Sequence, residues 1–204
     1  MIRFVKNILD ITNILGMKRG NPEPDPVPDW QHVTLQSAET GSFYINVGTV
    51  LTYAHVEYTN PDGKQKEAVS NYPPQFNVDV MQFTDILVSN GNNVYNWSRI
   101  TVDINASYFA PSSRLLGVYL QSNGALKKVD LRNANDNFSF LNESYESTIE
   151  TIYARVASEH LLTEIERLID GNSIRGVIWI DKSEAYAEDM TTYARSKGWT
   201  VYEL

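Results

Sequence analysis

The spacing of hydrophobic and polar residues changes along the chain, and the first segment has a helical spacing. In residues 1–17 the apolar positions recur at a helical period, while Arg3, Lys6 and Asp10 lie on the opposite side. The pattern predicts an amphipathic helix with an apolar face formed by Ile2, Phe4, Val5, Ile8, Leu9, Ile11 and Leu15. We expect this face to be an interface, because a one-sided helix must bury its apolar side against another surface.

A proline-rich segment follows this helix and separates it from the rest of the chain. In "NPEPDPVPDW", residues 21–30, a proline stands at every second position from Pro22 to Pro28. Each proline restricts its own φ and pushes the preceding residue into an extended conformation. We therefore predict an extended Pro-rich linker of the polyproline-II type, which spans roughly 25–30 Å at about 3.1 Å per residue. Such a spacer makes it difficult for the helix to fold back onto the nearest surface of its own domain.

Residues 31–141 have the composition and alternation of β-strands. Val, Ile, Thr, Tyr and Phe are abundant, and apolar and polar residues alternate clearly in 76–80 and 100–104. Turn sequences such as Asn60-Pro61-Asp62-Gly63 and Ser122-Asn123-Gly124 separate the predicted strands. The second of these turns predicts a hairpin between "GVYLQ" and "ALKKVDL". The spacing favours a mainly antiparallel sandwich or barrel.

The remaining part of the chain, residues 142–204, is predicted to mix helix and strand. A helical pattern starts at Asn142, and its apolar positions form two stripes that change direction near 158–160, where we expect a kink or break. Residues 174–204 have the pattern of a strand, a helix and a strand, with Gly198 at the end of the helix. A unit this short is typically a right-handed parallel crossover.

These segments together predict an α+β protein. The expected organisation is an N-terminal amphipathic helical arm (residues 1–20), a Pro-rich linker (21–30), a β-rich body (31–141) and a C-terminal lobe with a helix and a small βαβ unit (142–204). The composition is that of a globular protein, with 42% hydrophobic and 11% aromatic residues among 204. We therefore expect one sizeable core.

Charge and cysteine content restrict the classes of function. The formal net charge of −8 argues against direct nucleic-acid binding through phosphates. The chain has no cysteine, which rules out disulfides, thiolate metal sites and cysteine nucleophiles. It has no apolar run of transmembrane length, and Asp10 and Asn13 interrupt the apolar run that a secretion signal requires. We therefore expect a cytoplasmic or virion location.

Asp181 is the most suggestive single residue for chemistry. It ends an apolar run, 177–180, and precedes a helical pattern, so it lies where open α/β sheets bind ligands. The spacing of Asp181 and Glu184 also matches a helix N-cap. We favour the cap, because no phosphate-binding loop or second metal-spaced acid accompanies Asp181.

Other candidate sites are weaker. Asp79, Asp85 and Asp103 could join Asp181 around a metal ion, but Asp79 and Asp103 occupy the polar positions of alternating strands, where solvated acids are expected. The three histidines have no metal-ligand spacing. Trp97 lies among asparagines and tyrosine, a pattern compatible with sugar binding, but we favour a polar loop that is anchored by one buried tryptophan.

The favoured interpretation is a structural or adaptor subunit of a larger assembly, such as a virus or phage particle. Its arm would dock on neighbouring subunits, so the expected partners are copies of the chain or other subunits. No catalytic residue, metal ligand or cofactor is assigned. Two alternatives remain open. One is a metal-dependent hydrolase or nuclease that uses Asp181 with strand carboxylates, and the other is a peripheral protein that attaches to a membrane surface through the same helix.

Overall fold

The computed structural model describes residues 30–48, 53–71, 75–90, 97, 100–103, 105–121, 124–141, 148–169 and 176–204. These residues form a mixed α and β protein with two β-sheets and two α-helices, which agrees with the predicted α+β class. The predicted N-terminal arm and residues 21–29 of the linker lie outside the described residues. No described helix combines the length and the apolar composition that a membrane crossing requires.

The larger sheet has nine strands and joins the predicted body to the C-terminal region. Its strands are β1 (His32–Ser37), β3 (Tyr53–Thr59), β4 (Gln65–Asn71), β6 (Asp85–Ser89), β8 (Ala106–Pro111), β10 (Lys128–Asp130), β12 (Thr151–Ala154), β13 (Val177–Ile180) and β14 (Thr200–Glu203). Their spatial order is β14-β13-β12-β10-β8-β1-β6-β3-β4. One half of the sheet is parallel and contains β8, β10, β12, β13 and β14. In the other half each strand pairs antiparallel with its neighbour, in the order β8, β1, β6, β3 and β4.

The smaller sheet has five strands, which are β2 (Gly41–Gly48), β5 (Gln75–Val80), β7 (Ile100–Asp103), β9 (Gly117–Gln121) and β11 (Ser139–Leu141). Their spatial order is β11-β9-β7-β2-β5. β5 alternates between exposed and buried residues along its whole length, as its sequence predicts. Both sheets contribute to a single cluster of buried side chains, which includes Leu35 and Phe109 from the larger sheet and Ile45 from the smaller.

The two helices connect the last three parallel strands. α1 (Glu159–Ile169) lies between β12 and β13, and α2 (Ala187–Ser196) lies between β13 and β14. The predicted strand, helix and parallel strand at the C-terminus are thereby confirmed. Gly198 has a φ of 84°, and its N–H donates to Arg195 O at 3.0 Å, so it ends α2 in the left-handed conformation that glycine allows.

The helical prediction from Asn142 onward was wrong for residues 151–154. These residues form β12, which inserts between β10 and β13, and the helix begins only at Glu159. Ser158 caps it, since its Oγ accepts a hydrogen bond from the N–H of Leu161 at 3.2 Å. The physical reason is that the same residues also fit a strand, because the buried side chains of Ile152 and Ala154 alternate with Tyr153. Hydrogen bonding of β12 to β10 on one side and to β13 on the other then favours the strand over the helix.

The predicted hairpin between "GVYLQ" and "ALKKVDL" was also wrong. β9 pairs with β7 and β11 in the smaller sheet, whereas β10 pairs with β8 and β12 in the larger one. The chain therefore crosses between sheets after β9. The turn at 60–63 does join a hairpin, β3 to β4, with Gly63 at φ 74°.

Candidate binding surface on the larger sheet

A row of three aromatic side chains lies on one face of the larger sheet. Tyr153, Trp179 and Tyr202 stand opposite one another in the register of β12, β13 and β14. The rings of Tyr153 and Trp179 are stacked with centroids 6.1 Å apart, and those of Trp179 and Tyr202 with centroids 4.8 Å apart. We call these three residues the aromatic row.

The aromatic row faces solvent rather than the helices. Ile152, Ile178 and Ile180 alternate with it, and their side chains are buried in the core to which both helices contribute. In contrast, Tyr202 is 47% exposed, and Tyr153 and Trp179 are half-buried. The strand alternation therefore produces an aromatic surface on the side of the sheet that the core does not use.

Two cationic side chains lie over the rings at one end of the row. The Lys128 ammonium is 4.8 Å from the ring centroid of Tyr153 and 5.2 Å from that of Tyr108. The Arg132 guanidinium is 4.8 Å from the ring centroid of Tyr153. Cations at this distance are attracted to the face of an aromatic ring. The surface thus combines stacked rings with positive charge.

A buried carboxylate positions Arg132. Asp130 is 6% exposed and accepts hydrogen bonds from Arg132 Nε at 2.9 Å and from Arg132 Nη2, which is bidentate geometry. The hydrogen bond to Asp130 also raises the pKa of Arg132. Arg132 is therefore held as a fixed cation above Tyr153.

Tyr108 lies beside the same carboxylate. Its hydroxyl is 3.4 Å from Asp130 Oδ2, and burial, followed by the negative charge of Asp130, raises the pKa of Tyr108 to about 12. Tyr108 consequently stays neutral throughout the physiological range. Its hydroxyl can therefore donate a hydrogen bond to Asp130.

A cavity of about 430 Å³ opens next to these residues on the same face of the sheet. Its lining includes Trp30, His32, Thr34, Tyr108, Asp130 and Arg132. We call it the Tyr108 pocket. It adjoins the aromatic row through Arg132 and Lys128, which contact both Tyr153 and the Tyr108 region. The rings, the pocket and the Lys128 ammonium suit a ligand with apolar groups and negative charge, while Asp130 balances the charge of Arg132.

Asp181 lies at the carboxyl end of β13, but it does not cap a helix. α2 begins at Ala187, and its N-cap residue, Tyr186, makes no side-chain cap hydrogen bond. The Asp181 carboxylate instead accepts hydrogen bonds from Ser183 Oγ at 2.6 Å and from the Ser183 N–H at 3.0 Å. These two bonds, with a smaller effect of Arg155, lower the pKa of Asp181. Asp181 therefore stabilises a turn that precedes the helix.

The strand acids do not gather around Asp181. Asp79 accepts a hydrogen bond from Ser42 in the smaller sheet, and Asp85 accepts one from Gln36 Nε2 at 2.9 Å in the larger sheet. Asp103 lies at the end of β7. Within the part of the chain that the structure describes, no group of three His, Asp or Glu side chains is arranged to hold a metal ion.

Trp97 is buried, with 1% of its surface exposed, which matches the interpretation of a tryptophan that anchors a loop. The side chain of Gln31 bonds both the backbone N–H and the carbonyl of Trp97. Two sets of predicted residues lie outside the described residues: the interface residues Ile2, Phe4, Val5, Ile8, Leu9, Ile11 and Leu15, and the polar residues Asn92, Asn93, Tyr95 and Asn96.

Sequence reasoning missed the aromatic row. Its signal is present in three short strands with the sequences TIYA, VIWI and TVYE, each of which has an aromatic residue in third position. Because parallel strands in register place equivalent positions side by side, this repetition predicts a row. The helical assignment of 151–154 concealed it.

Comparisons with known proteins add no information about this surface. The chain has no significant match to a family model, to a curated protein or to a solved structure.

Proposed function

We propose that this protein is a structural or adaptor subunit of a larger assembly, such as a virus or phage particle, in the virion or the cytoplasm. The apolar face of residues 1–15, with Ile2, Phe4, Val5, Ile8, Leu9, Ile11 and Leu15, docks on neighbouring subunits. The partners are copies of the chain or other subunits. A sandwich- or barrel-like body, preceded by an amphipathic helix on a Pro-rich linker, is part of the same proposal.

The observation that supports this function best is the solvent-facing aromatic row with its cations. Tyr, Trp and Arg are the residue types that contribute most to the binding energy of protein interfaces. Here Tyr153, Trp179, Tyr202 and Arg132 form one continuous surface, held in place by strand register and by the buried Asp130. Rigid side chains lose little conformational entropy on binding, so such a surface is suited to a polypeptide partner.

The position of the row at the end of the sheet also supports an assembly role. β14 is the edge strand of the nine-stranded sheet, and both Tyr202 and Leu204 are substantially exposed there, at 47% and 43%. An edge strand offers backbone groups to a neighbouring chain, and exposed apolar side chains beside it add contact area. The exposed apolar side chains and the hydrogen-bonding groups of the edge strand therefore lie side by side on β14.

The test is the native mass of the protein in solution, measured by light scattering coupled to gel filtration. The intact chain should form a discrete oligomer, and deletion of residues 1–20 should reduce its mass while the circular dichroism of the body is retained. Ile8→Glu should act like the deletion, because it places a charge on the apolar face. Asn7→Glu adds the same charge to the polar face and is the matched control.

Three results would contradict the proposal. The first is an oligomer that is unchanged in the variants, and the second is a monomer in every variant. The third is flotation of the intact chain, but not of Ile8→Glu, with vesicles that contain phosphatidylserine, because the apolar face would then bind a membrane surface.

A further inference from the structure

The topology brings the start of the described chain to the edge of the aromatic surface. β1 is antiparallel to β8, with Val33 opposite Pro111, so the beginning of β1 lies at the carboxyl ends of the parallel strands. Trp30 precedes β1 and lines the Tyr108 pocket. Residues 21–29 therefore join the described structure next to the pocket. This junction lies at the carboxyl ends of the parallel strands, the same ends from which the chain continues after the aromatic row.

The composition of residues 21–29 matches the chemistry of this surface. The segment contains Pro22, Pro24, Pro26 and Pro28, and proline-rich segments bind in grooves lined by aromatic side chains. It also contains Glu23, Asp25 and Asp29 and no basic residue. The surface offers the Lys128 ammonium above its rings, together with Arg132, whose charge is partly balanced by Asp130, so the acidic segment and the surface are complementary in charge.

The length of the segment matches the width of the surface. Nine residues of polyproline-II conformation span about 28 Å at roughly 3.1 Å per residue. Four strands, β8, β10, β12 and β13, lie between β1 and β14. The distance from β1 to β14 is therefore five strand spacings, or about 24 Å at about 4.8 Å per spacing. A segment that starts at Trp30 can thus cross the Tyr108 pocket and the whole aromatic row, and it ends just beyond the edge strand.

We propose that residues 21–29 bind across the Tyr108 pocket and the aromatic row of their own chain. This inference rests on the proposed function in one respect, since the bound linker delivers the N-terminal arm past β14 toward a neighbouring subunit. The linker then sets the direction of the arm, and not only its reach.

Disulfide trapping in the full-length chain tests this placement, because the chain has no cysteine of its own. At polyproline-II spacing Asp25 falls near β12, so we pair Asp25→Cys with Thr151→Cys, which lies on the same face of β12 two residues before Tyr153. The matched control pairs Asp25→Cys with Thr163→Cys on the exposed side of α1. Products are separated by non-reducing electrophoresis and identified by mass spectrometry.

The expected result is a monomer with an internal disulfide that forms at least about tenfold faster for the Thr151 pair than for the Thr163 pair. Equal rates would overturn the proposal and leave the surface to a partner of another kind. A product that consists only of cross-linked dimers would also overturn it, because the occupant would be the linker of a second copy.

A second measurement tests the role of the rings. Tyr202→Ala in the Thr151 pair should slow cross-linking about threefold or more, because it removes one ring of the row. Tyr44→Ala is the control, since Tyr44 is exposed to a similar extent, 48% against 47%, but lies in the smaller sheet. Equal rates for the two variants would argue against binding through the row.

The outcomes separate this inference from the proposed function. If the Thr151 pair does not cross-link faster than the Thr163 pair, but the chain still forms an oligomer that depends on the arm, the placement of the linker is wrong and the assembly function stands. Specific cross-linking in a protein whose native mass is that of a monomer would remove the assembly function and leave the placement of the linker intact.

Discussion

The carboxylate of Glu164 on α1 accepts a hydrogen bond from the backbone N–H of Phe140 in β11 at 3.1 Å. Glu164 is only 7% exposed, and Arg167 lies 3.3 Å from the same carboxylate. β11 is the edge strand of the smaller sheet, whereas α1 connects two strands of the larger sheet. This one side chain therefore ties the helical side of the larger sheet to the edge of the smaller one.

Replacement of Glu164 should destabilise the fold more than the loss of an exposed hydrogen bond would. Glu164→Ala leaves a buried N–H without its acceptor, and we expect a loss of about 1–3 kcal/mol in the free energy of unfolding. Glu164→Gln keeps an acceptor oxygen and should lose less. Urea denaturation measures both, with Glu166→Ala on the same helix as the control. An equal loss for Glu164→Ala and Glu166→Ala would show that the contact contributes nothing specific.

Gly176 is expected to tolerate no side chain. A Cβ atom at this position would lie 2.2 Å from Trp199 Cζ3 and 2.3 Å from Cε3, and Trp199 is 3% exposed. Gly176→Ala should therefore shift the buried indole and cost about 1–3 kcal/mol of stability, visible in thermal unfolding. Gly124→Ala is the control, because no heavy atom lies within 4 Å of its Cβ position. Similar melting temperatures for the two variants would contradict the packing described here.

Tyr108 should make the stability of the protein sensitive to alkaline pH. Its pKa in the fold is raised to about 12 from an ordinary value of 10.0, so the fold favours the neutral phenol. This contribution is fully present below pH 10 and is lost as the pH rises from 10 through about 12. The ultraviolet absorbance of tyrosinate should show one late transition that disappears in Tyr108→Phe. In Asp130→Asn the transition should move to lower pH, and an unchanged curve in Tyr108→Phe would contradict the assignment.

The pKa of Asp181 should depend on the hydrogen bonds that Ser183 donates in the turn after β13. Hydrogen bonds from the hydroxyl and the N–H of Ser183 lower its pKa, so Ser183→Ala should raise it toward the ordinary value, as measured by carbon-13 NMR of the carboxyl group. A lowered pKa in the fold contributes stability above the unfolded value, which is lost as the pH falls below about 4. Ser183→Thr keeps the hydroxyl and should leave the titration nearly unchanged. An unshifted pKa in Ser183→Ala would mean that another group controls Asp181.

The local features of this protein follow directly from its amino-acid sequence. The turn at Gly63, the end of α2 at Gly198 and the C-terminal strand, helix and strand are all as predicted. Each depends on interactions within a few residues, such as positive φ at glycine or the alternation of apolar side chains along one strand. The mixed α and β class follows from the same short-range patterns.

Tertiary structure alone decided which elements pair and which surface results. Tyr153 belongs to an apolar stripe when residues 142–160 are taken as a helix, yet in β12 it points away from the core and stacks on Trp179. β9 and β10 follow each other in the chain but belong to different sheets. The physical reason is that strands are paired by the burial of apolar faces from segments that lie far apart in the chain. The hydrophobic period of a short segment shows which of its own residues share a face, but not which other segment covers that face.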